Sequence, residues 1–159
     1  MNHTQTKLAF FDMDGVLSAP VFQNKEGQRV IGFSDESWRQ HCVEHDENTY
    51  AHCRPLPIVY EYAKKLKEEG ATLYVLTVSE NSFENNAKKK FTQTHYPNLF
   101  MDVISVSSEQ AKPEVMHMMA QKYQISPQAC ELVEDTYSTL LKVIALGMKG
   151  PHLSHLLMS

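Results

Sequence analysis

The chain has 159 residues, of which 42% are apolar and 21% charged, and its net charge is -4. This length is enough for one domain with a full hydrophobic core, and the negative charge offers no basic surface to nucleic acid. No stretch approaches the run of about 18 apolar residues that a membrane-spanning helix requires. Residues 1–7 lack the apolar core of a secretory signal, so a cytoplasmic location is expected.

The first predicted element is a buried strand that ends in two aspartates. In "KLAFFDMDGVL", residues 7–17, an apolar run leads directly into Asp12, Met13, Asp14 and Gly15. Residues two apart on a strand point to the same face, so both carboxylates would share one side. Two like charges beside an apolar strand are unfavourable unless other groups compensate them. We therefore expect partners for Asp12 and Asp14 elsewhere in the chain.

Residues 18–55 follow this strand and show no clean periodicity. The segment is too long for an ordinary connection, so it is expected to have structure of its own. It contains several soft metal ligands, namely His41, Cys42, His45, His52 and Cys53. Their spacing fits no familiar zinc pattern, which leaves a zinc site as an alternative to simple packing.

The remainder of the chain alternates helices with strands. Predicted helices begin at Pro57, at Pro113 and at Tyr137, and a further helix is expected to be capped by Ser79 or Ser82. The predicted strands are 72–78, 102–107, 130–134 and a short one near 148–153. This alternation predicts an α/β fold, a Rossmann-like three-layer sandwich with a mostly parallel central sheet. Met116, Met118 and Met119 are expected in its core, and the run 88–90 on a solvated helix face.

Polar side chains stand at the end of each predicted strand or in the loop after it. They are Asp12 and Asp14, then Thr77 and Ser79, then Lys112, and finally Glu134 and Asp135. In parallel sheets the site lies beyond the carboxyl ends of the strands, so these groups are expected to converge. Several carboxylates with a lysine and a hydroxyl suit a hard divalent cation and an anionic substrate. Mg²⁺ prefers about six oxygen ligands of this kind.

Four motifs in this order resemble those of the haloacid-dehalogenase (HAD) superfamily over essentially the full chain. "FFDMDGVL" resembles the first motif, an apolar strand followed by DxDG[VT]L, and "LYVLT" the second. "AKPE" resembles the third, a lysine before a helix, and "ELVEDT", followed by "ALGMKG", the fourth. The resemblance implies a Mg²⁺-dependent phosphomonoesterase that acts through a phospho-aspartate.

The resemblance also implies roles for individual residues. Asp12 would be the nucleophile, and Asp14 the general acid and base. Thr77, with Ser79 after it, would bind phosphoryl oxygens. Lys112 would pair with both the nucleophile and the phosphate.

The expected metal ligands are Asp135, with help from Glu134, together with Asp12 and the backbone carbonyl of Asp14. Many relatives carry a further acidic residue a few positions after the fourth motif, and residues 136–140 contain none. The Glu-Asp pair itself occurs in relatives of β-phosphoglucomutase, so Mg²⁺ remains the expected cofactor.

The expected architecture is a single catalytic domain, 1–159, with 18–55 inserted as an enlarged flap or minimal cap. A lid this short leaves the site open, or requires a second subunit to enclose it, so a homodimer is an open alternative. The expected substrate is a small phosphorylated metabolite. Two alternative functions stay open, a non-catalytic or regulatory binding protein on the same scaffold and a phosphomutase.

Overall fold

The computed structural model describes residues 4–158. Its strands are β1 (Leu8–Phe11), β2 (Ser18–Ala19), β3 (Phe22–Gln23), β4 (Arg29–Val30), β5 (Arg54–Pro55), β6 (Thr72–Val78), β7 (Phe100–Val106) and β8 (Cys130–Val133). Its α-helices are α1 (Asp35–His45), α2 (Pro57–Glu68), α3 (Ser82–His95), α4 (Ala111–Lys122), α5 (Tyr137–Ala145) and α6 (Leu153–Leu156). Short 3₁₀ helices span Asp46–Asn48 and Pro127–Ala129.

A parallel four-stranded sheet in the order β7-β6-β1-β8 forms the centre of the fold. Phe11, the last residue of β1, pairs with Val75 of β6 on one side and with Val133 of β8 on the other. Asp12 therefore emerges at the middle of the sheet's carboxyl edge, between the two neighbouring strands. The predicted Rossmann-like α/β fold is confirmed.

The two faces of the sheet carry separate apolar layers. Ala9 and Phe11 point to the face covered by α2 and α3, whereas Leu8 and Phe10 point to the face covered by α4 and α5. All four side chains are almost completely buried, as is typical of a strand covered on both sides. This packing fixes the position of β1 in the sheet and therefore the position of Asp12, which follows directly after it.

Two expected helix starts differ in detail from the structure. Asn81, rather than Ser79 or Ser82, caps α3, because its side chain accepts the backbone N–H of Glu84. Helix α4 begins at Ala111, two residues before Pro113. A proline fits the first turn of a helix because its missing N–H would have no partner there. Lys112 consequently lies inside the first turn of α4.

The expected fifth strand near 148–153 is wrong. Isolated bridges join Lys149 to Glu131 and His152 to Glu134, and no continuous strand lies between them. Gly150 and Pro151 interrupt the pairing, since proline cannot donate to a β-ladder. The expectation for Met118 is also wrong, because it is 65% exposed. Met116 is fully buried, and residues two apart point to nearly opposite sides of a helix.

The segment 18–55 has a base, where its two ends pair with each other, and a tip, the 3₁₀ helix Asp46–Asn48, which contacts α3. At the base, β2 pairs antiparallel with β5, so the two ends of the segment lie side by side. At the tip, Lys90 of α3 forms an ion pair with Glu47 and a hydrogen bond with Asn48. Between them lies an aromatic cluster in which Phe22 contacts the rings of Phe33, Trp38, His41 and Tyr50.

None of the helices in residues 4–158 is long and apolar enough to cross a membrane.

Candidate active site

A buried lysine holds the first aspartate at the carboxyl edge of the sheet. Lys112 is 0% exposed, and its Nζ lies 3.0 Å from Oδ1 of Asp12. The same ammonium lies 2.8 Å from Oε2 of Glu134 and 2.9 Å from Oε1 of Glu109. The backbone N–H of Asp12 donates to the carbonyl of Val133, which ties the aspartate to β8. One cation is thus surrounded by three carboxylates.

This imbalance of charge shifts the pKa values in the cluster. Burial opposes the charge on Lys112, but Asp12 and Glu134 hold its pKa above the ordinary value. Burial, with the charge of Asp12 added to it, raises the pKa of Glu134 to about 9, and Lys112 opposes this shift. Burial is thus the main cause of the Glu134 shift, whereas the neighbouring carboxylates cause the Lys112 shift.

Ligand atoms of Asp12, Glu109 and Glu134 lie within 4.8 Å of one another, which is close enough to share a metal ion. However, the ammonium of Lys112 already lies within 3.0 Å of all three side chains. Glu134 also accepts the backbone N–H of Asp135 on its other oxygen, at 3.0 Å. The two oxygens of Glu134 are therefore engaged by Lys112 and by the backbone.

The carboxylate of Asp135 lies against the loop that follows β1. A Cβ placed on Gly15 would come within 2.5 Å of Oδ2 of Asp135, so only a glycine leaves room for that carboxylate. Gly15 also has φ of +80°, a conformation that other residues seldom adopt. The loop therefore presents Asp12 and Asp14 beside an exposed carboxylate. The donors in this loop fit a hard divalent cation.

Asp14 is held by a residue of the inserted segment and by a lysine of α3. The hydroxyl of Tyr50 donates to Oδ1 of Asp14 at 2.8 Å, and Nζ of Lys88 lies 3.6 Å from Oδ2. Desolvation by the surrounding protein raises the pKa of Asp14, while Lys88 and then the Tyr50 hydrogen bond oppose the shift. Half of the Asp14 side chain is still accessible, so the desolvation is weaker than for an enclosed carboxyl.

Thr77 and Ser79 lie at the end of β6, as predicted, but their surroundings differ. Thr77 is 1% exposed, and its hydroxyl accepts a hydrogen bond from Lys88 at 2.7 Å. The hydroxyl of Ser79 lies toward the edge strand β7, where Ser105 donates to it at 3.3 Å. Of the two, Thr77 lies closer to the aspartates, because the lysine that donates to its hydroxyl also forms an ion pair with Asp14.

Sequence reasoning missed three residues of this constellation. Lys88 was expected on a solvated helix face, and this is wrong, because it is 0% exposed. Glu109 and Tyr50 were not singled out at all. The available signals were weak: Glu84 and Glu109 precede Lys88 and Lys112 at helical spacing. Nothing in the sequence near Tyr50 indicates its contact with Asp14.

The histidines and cysteines of the inserted segment are dispersed rather than clustered. His41 and His45 stack with ring centroids 4.0 Å apart, whereas Sγ of Cys53 donates to the carbonyl of Val21. Burial raises the pKa of the Cys42 thiol to about 12, so it remains protonated. Among residues 4–158, three candidate ligand atoms come together only at Asp12, Glu109 and Glu134. The zinc alternative therefore gains no support from this geometry.

No protein-family model matches the chain, and no curated protein matches it in sequence. Solved structures do match it. A predicted phosphoglycolate phosphatase from Haemophilus somnus is similar with a TM-score of 0.65 and 17% identity, over 94% of this chain and 85% of that one. CbbY from Rhodobacter sphaeroides, solved with phosphate, has a TM-score of 0.63 and 11% identity, over 92% and 85% of the two chains.

A HAD family enzyme from Bacteroides thetaiotaomicron, solved with magnesium and inorganic phosphate, is similar with a TM-score of 0.55. Its identity is 13%, and the match covers 92% of this chain and 93% of that one. At such low identities these likenesses are likenesses of fold. The fold is that of HAD phosphatases, and the resemblance carried by the four motifs is confirmed at that level.

Proposed function

We propose that this protein is a magnesium-dependent phosphatase that acts on a small phosphorylated metabolite through a phospho-aspartate at Asp12. The observation that carries the proposal is the contact between the buried ammonium of Lys112 and the carboxylate of Asp12. A buried cation at a sheet edge attracts a phosphate dianion to the carboxylate beside it. The HAD fold and the neighbours solved with phosphate or magnesium support the proposal.

The reaction would begin with attack of an Asp12 oxygen on phosphorus, which forms an acyl phosphate and breaks the ester bond. Asp14 would donate its proton to the departing alkoxide oxygen. It would then accept a proton from the water that attacks the acyl phosphate, and the products are inorganic phosphate and the free carboxylate. Its raised pKa supports this role, since such a carboxyl is easier to protonate at neutral pH.

Mg²⁺ would be held by Asp12, Asp135 and the backbone carbonyl of Asp14, and it would neutralise charge on the phosphoryl oxygens. We assign Glu134 to the support of Lys112 and of the Asp135 backbone, because its two oxygens already contact those groups. Thr77 and Lys112 would donate to the phosphoryl group, with Ser79 at the rim.

The proposal is tested by measuring phosphate release from p-nitrophenyl phosphate with and without millimolar magnesium, and then from a panel of phosphorylated metabolites. Asp12→Asn is the matched variant, because it keeps the shape of the side chain and removes the nucleophile. We expect magnesium-dependent release by the wild-type chain and none by Asp12→Asn. A wild-type rate in Asp12→Asn contradicts the nucleophile. If the wild-type chain releases phosphate from none of these esters, the proposed phosphatase activity is contradicted, and the alternative of a non-catalytic binding protein is favoured.

A further inference from the structure

A second buried lysine lies beside Asp14, whereas Lys112 lies beside Asp12, and this second lysine has no role in the proposed reaction. Lys88 of α3 is 0% exposed. Its Nζ donates to the hydroxyl of Thr77 at 2.7 Å and to the carbonyl of Val78 at 2.6 Å. It forms an ion pair with Glu84 at 3.1 Å, and Asp14 lies slightly farther away, at 3.6 Å.

The contact with Thr77 determines where the proton of the threonine hydroxyl can point. An ammonium has three protons and no lone pair, so Lys88 can only donate, and the Thr77 oxygen must accept. The threonine proton then needs a different acceptor. None exists for it among residues 4–158, although the side chain is 99% buried. A buried hydroxyl proton without an acceptor is unfavourable, unless a ligand oxygen supplies the acceptor.

The contact with Asp14 completes the arrangement. The two carboxylate oxygens of Asp14 face different partners, Tyr50 at Oδ1 and Lys88 at Oδ2. Rotation of the carboxyl group about its terminal bond would break both contacts. Lys88 therefore restrains the acid-base carboxyl and the phosphate-binding hydroxyl with one ammonium.

Glu84 compensates the buried positive charge of Lys88. It is 4% exposed, lies one helical turn before Lys88, and accepts the backbone N–H of Glu80 on its second oxygen. Its charge compensates Lys88 without any contact to Asp12. A buried ion pair whose sole role is to stabilise the start of α3 would leave the Thr77 hydroxyl proton without an acceptor among residues 4–158.

We propose that Lys88 is a positioning residue for phosphoryl transfer: its ammonium directs the Thr77 hydroxyl proton toward the phosphoryl group and keeps the Asp14 carboxylate aligned. This inference rests on the proposed function.

The principal variant is Lys88→Met with Glu84→Gln, which removes both charges of the pair and so avoids leaving a buried carboxylate unpaired. Lys89→Met is the matched control, since Lys89 is the next residue of the helix and makes no ion pair or hydrogen bond in the described chain. Lys88→Arg keeps the cation and serves as the second variant if the double variant does not fold. Folding is checked by circular dichroism and thermal melting.

Two readouts separate positioning from simple stability. The first is the ratio of turnover with an alkyl phosphate to turnover with p-nitrophenyl phosphate. Misalignment of a catalytic group costs about 10²-fold, and we expect a loss of this size on the alkyl ester. The loss on the aryl ester is expected to be smaller, because nitrophenolate leaves without protonation. Lys89→Met keeps the wild-type ratio, and Lys88→Arg gives an intermediate one.

The second readout is the affinity for inorganic phosphate, measured by calorimetry in the presence of magnesium. Thr77→Val, alone and combined with the Lys88 and Glu84 changes, completes a double-mutant cycle. If Lys88 acts through the threonine hydroxyl, each change alone weakens phosphate binding and the combination adds little further. Additive losses, or an unchanged alkyl-to-aryl ratio in a folded Lys88 variant, overturn the inference.

The calorimetric experiment also separates this inference from the proposed function. A wild-type chain that hydrolyses no ester contradicts the phosphatase. Phosphate affinity then tests Lys88 by itself, and equal affinity in the wild-type and Lys88 variants overturns the positioning role.

Discussion

Tyr50 donates a hydrogen bond of 2.8 Å to Asp14 and so joins the inserted segment to the strand end that carries both aspartates. The tyrosine is 2% exposed and lies against Phe22 and Phe91, one from the inserted segment and one from α3. Burial and the charge of Asp14 raise the pKa of Tyr50 well above its ordinary value, so the hydroxyl stays protonated and continues to donate.

Tyr50→Phe removes this donor and keeps the ring. We expect a stability loss of about 1 kcal/mol, because a hydrogen bond to a half-exposed carboxylate is exchanged for water. Turnover of an alkyl phosphate is expected to fall more than turnover of p-nitrophenyl phosphate. Urea denaturation and the two activities are the measurements. Tyr60→Phe is the control, since the Tyr60 hydroxyl makes no hydrogen bond in residues 4–158. Equal effects of the two substitutions contradict the prediction.

Gly15→Ala tests the fit between the loop and Asp135. The alanine Cβ would lie 2.5 Å from the Asp135 carboxylate and would displace it. Gly27→Ala is the matched control, because Gly27 has the same φ of +80° but nothing within 4 Å of its Cβ position. Both variants should lose about 1–2 kcal/mol of stability from backbone strain. Only Gly15→Ala should also lose the stabilisation by magnesium, which is measured by thermal melting.

Magnesium should stabilise the folded chain, because it binds the native site and not the unfolded state. At 100 times its dissociation constant the gain is about 2.7 kcal/mol. Asp135→Asn should remove most of this gain, whereas Glu114→Gln, an exposed substitution on α4, should keep it. Melting temperatures with and without magnesium give the answer. An identical melting temperature in both conditions for the wild-type chain means that the assigned ligands are wrong.

Asp14→Asn should fail differently from Asp12→Asn. Alkyl phosphatase activity should fall by about 10² to 10⁴, the usual contribution of a general acid or base. With p-nitrophenyl phosphate the variant should still phosphorylate Asp12 and then stall. Rapid-quench kinetics should show a burst of at most one equivalent of nitrophenol, and intact mass should show the added phosphoryl group. Equal, mild losses on both esters without a burst would contradict the acid-base assignment.

His41 should make the stability depend on pH. Burial, with a contribution from His45, lowers its pKa below the ordinary 6.5, and its Nε2 has no hydrogen-bond partner among residues 4–158. The unfolded chain therefore binds a proton at this histidine before the folded chain does. The contribution of the neutral His41 to the free energy of unfolding is fully present above pH 6.5. It is lost as the pH drops through 6.5 toward the lower pKa of the folded state.

The corresponding variant is His41→Phe, which fits the aromatic cluster and cannot be protonated. Its unfolding free energy should change less between pH 7.5 and pH 5.5 than that of the wild type, by about 1 kcal/mol. His117→Gln, on the exposed face of α4, is the control and should keep the wild-type dependence. If the unfolding free energy of His41→Phe depends on pH as strongly as that of the wild type, the lowered pKa of His41 is contradicted.

The strand ends could be predicted because the apolar runs of β1, β6 and β8 are local properties of the sequence. Asp12, Thr77 and Lys112 therefore lie near the expected edge. Lys88 could not be found in the same way, since Phe83, Ala87 and Phe91 indicate an apolar face that does not include it. Its burial depends on partners from two other elements, Thr77 and Asp14. The spacing of apolar residues predicts which face of a helix is apolar. It does not predict that a lysine outside that face contacts a charged strand end.

The structures of the inserted segment and of the C-terminal residues could not be predicted either, because they also depend on contacts between distant parts of the chain. An aromatic cluster around Phe22 forms between residues far apart in sequence and has no periodicity to detect. The chain near Lys149 has strand composition, but Pro151 limits its pairing with β8 to isolated bridges. Both features are decided by tertiary contacts rather than by local preference.

The antiparallel pairing of β2 with β5 has a consequence for exchanging the segment 18–55 with the corresponding segment of a protein of the same fold. Ser18 faces Pro55, so the inserted segment leaves and re-enters the domain at points only about 5 Å apart. A segment of another length can be grafted between these points with little change in chain-closure entropy. Such a chimera would lose the donor that Tyr50 provides, so the graft must bring its own partner for Asp14. Comparing the activity of chimeras with and without a tyrosine at that place tests whether activity depends on this hydrogen bond to Asp14.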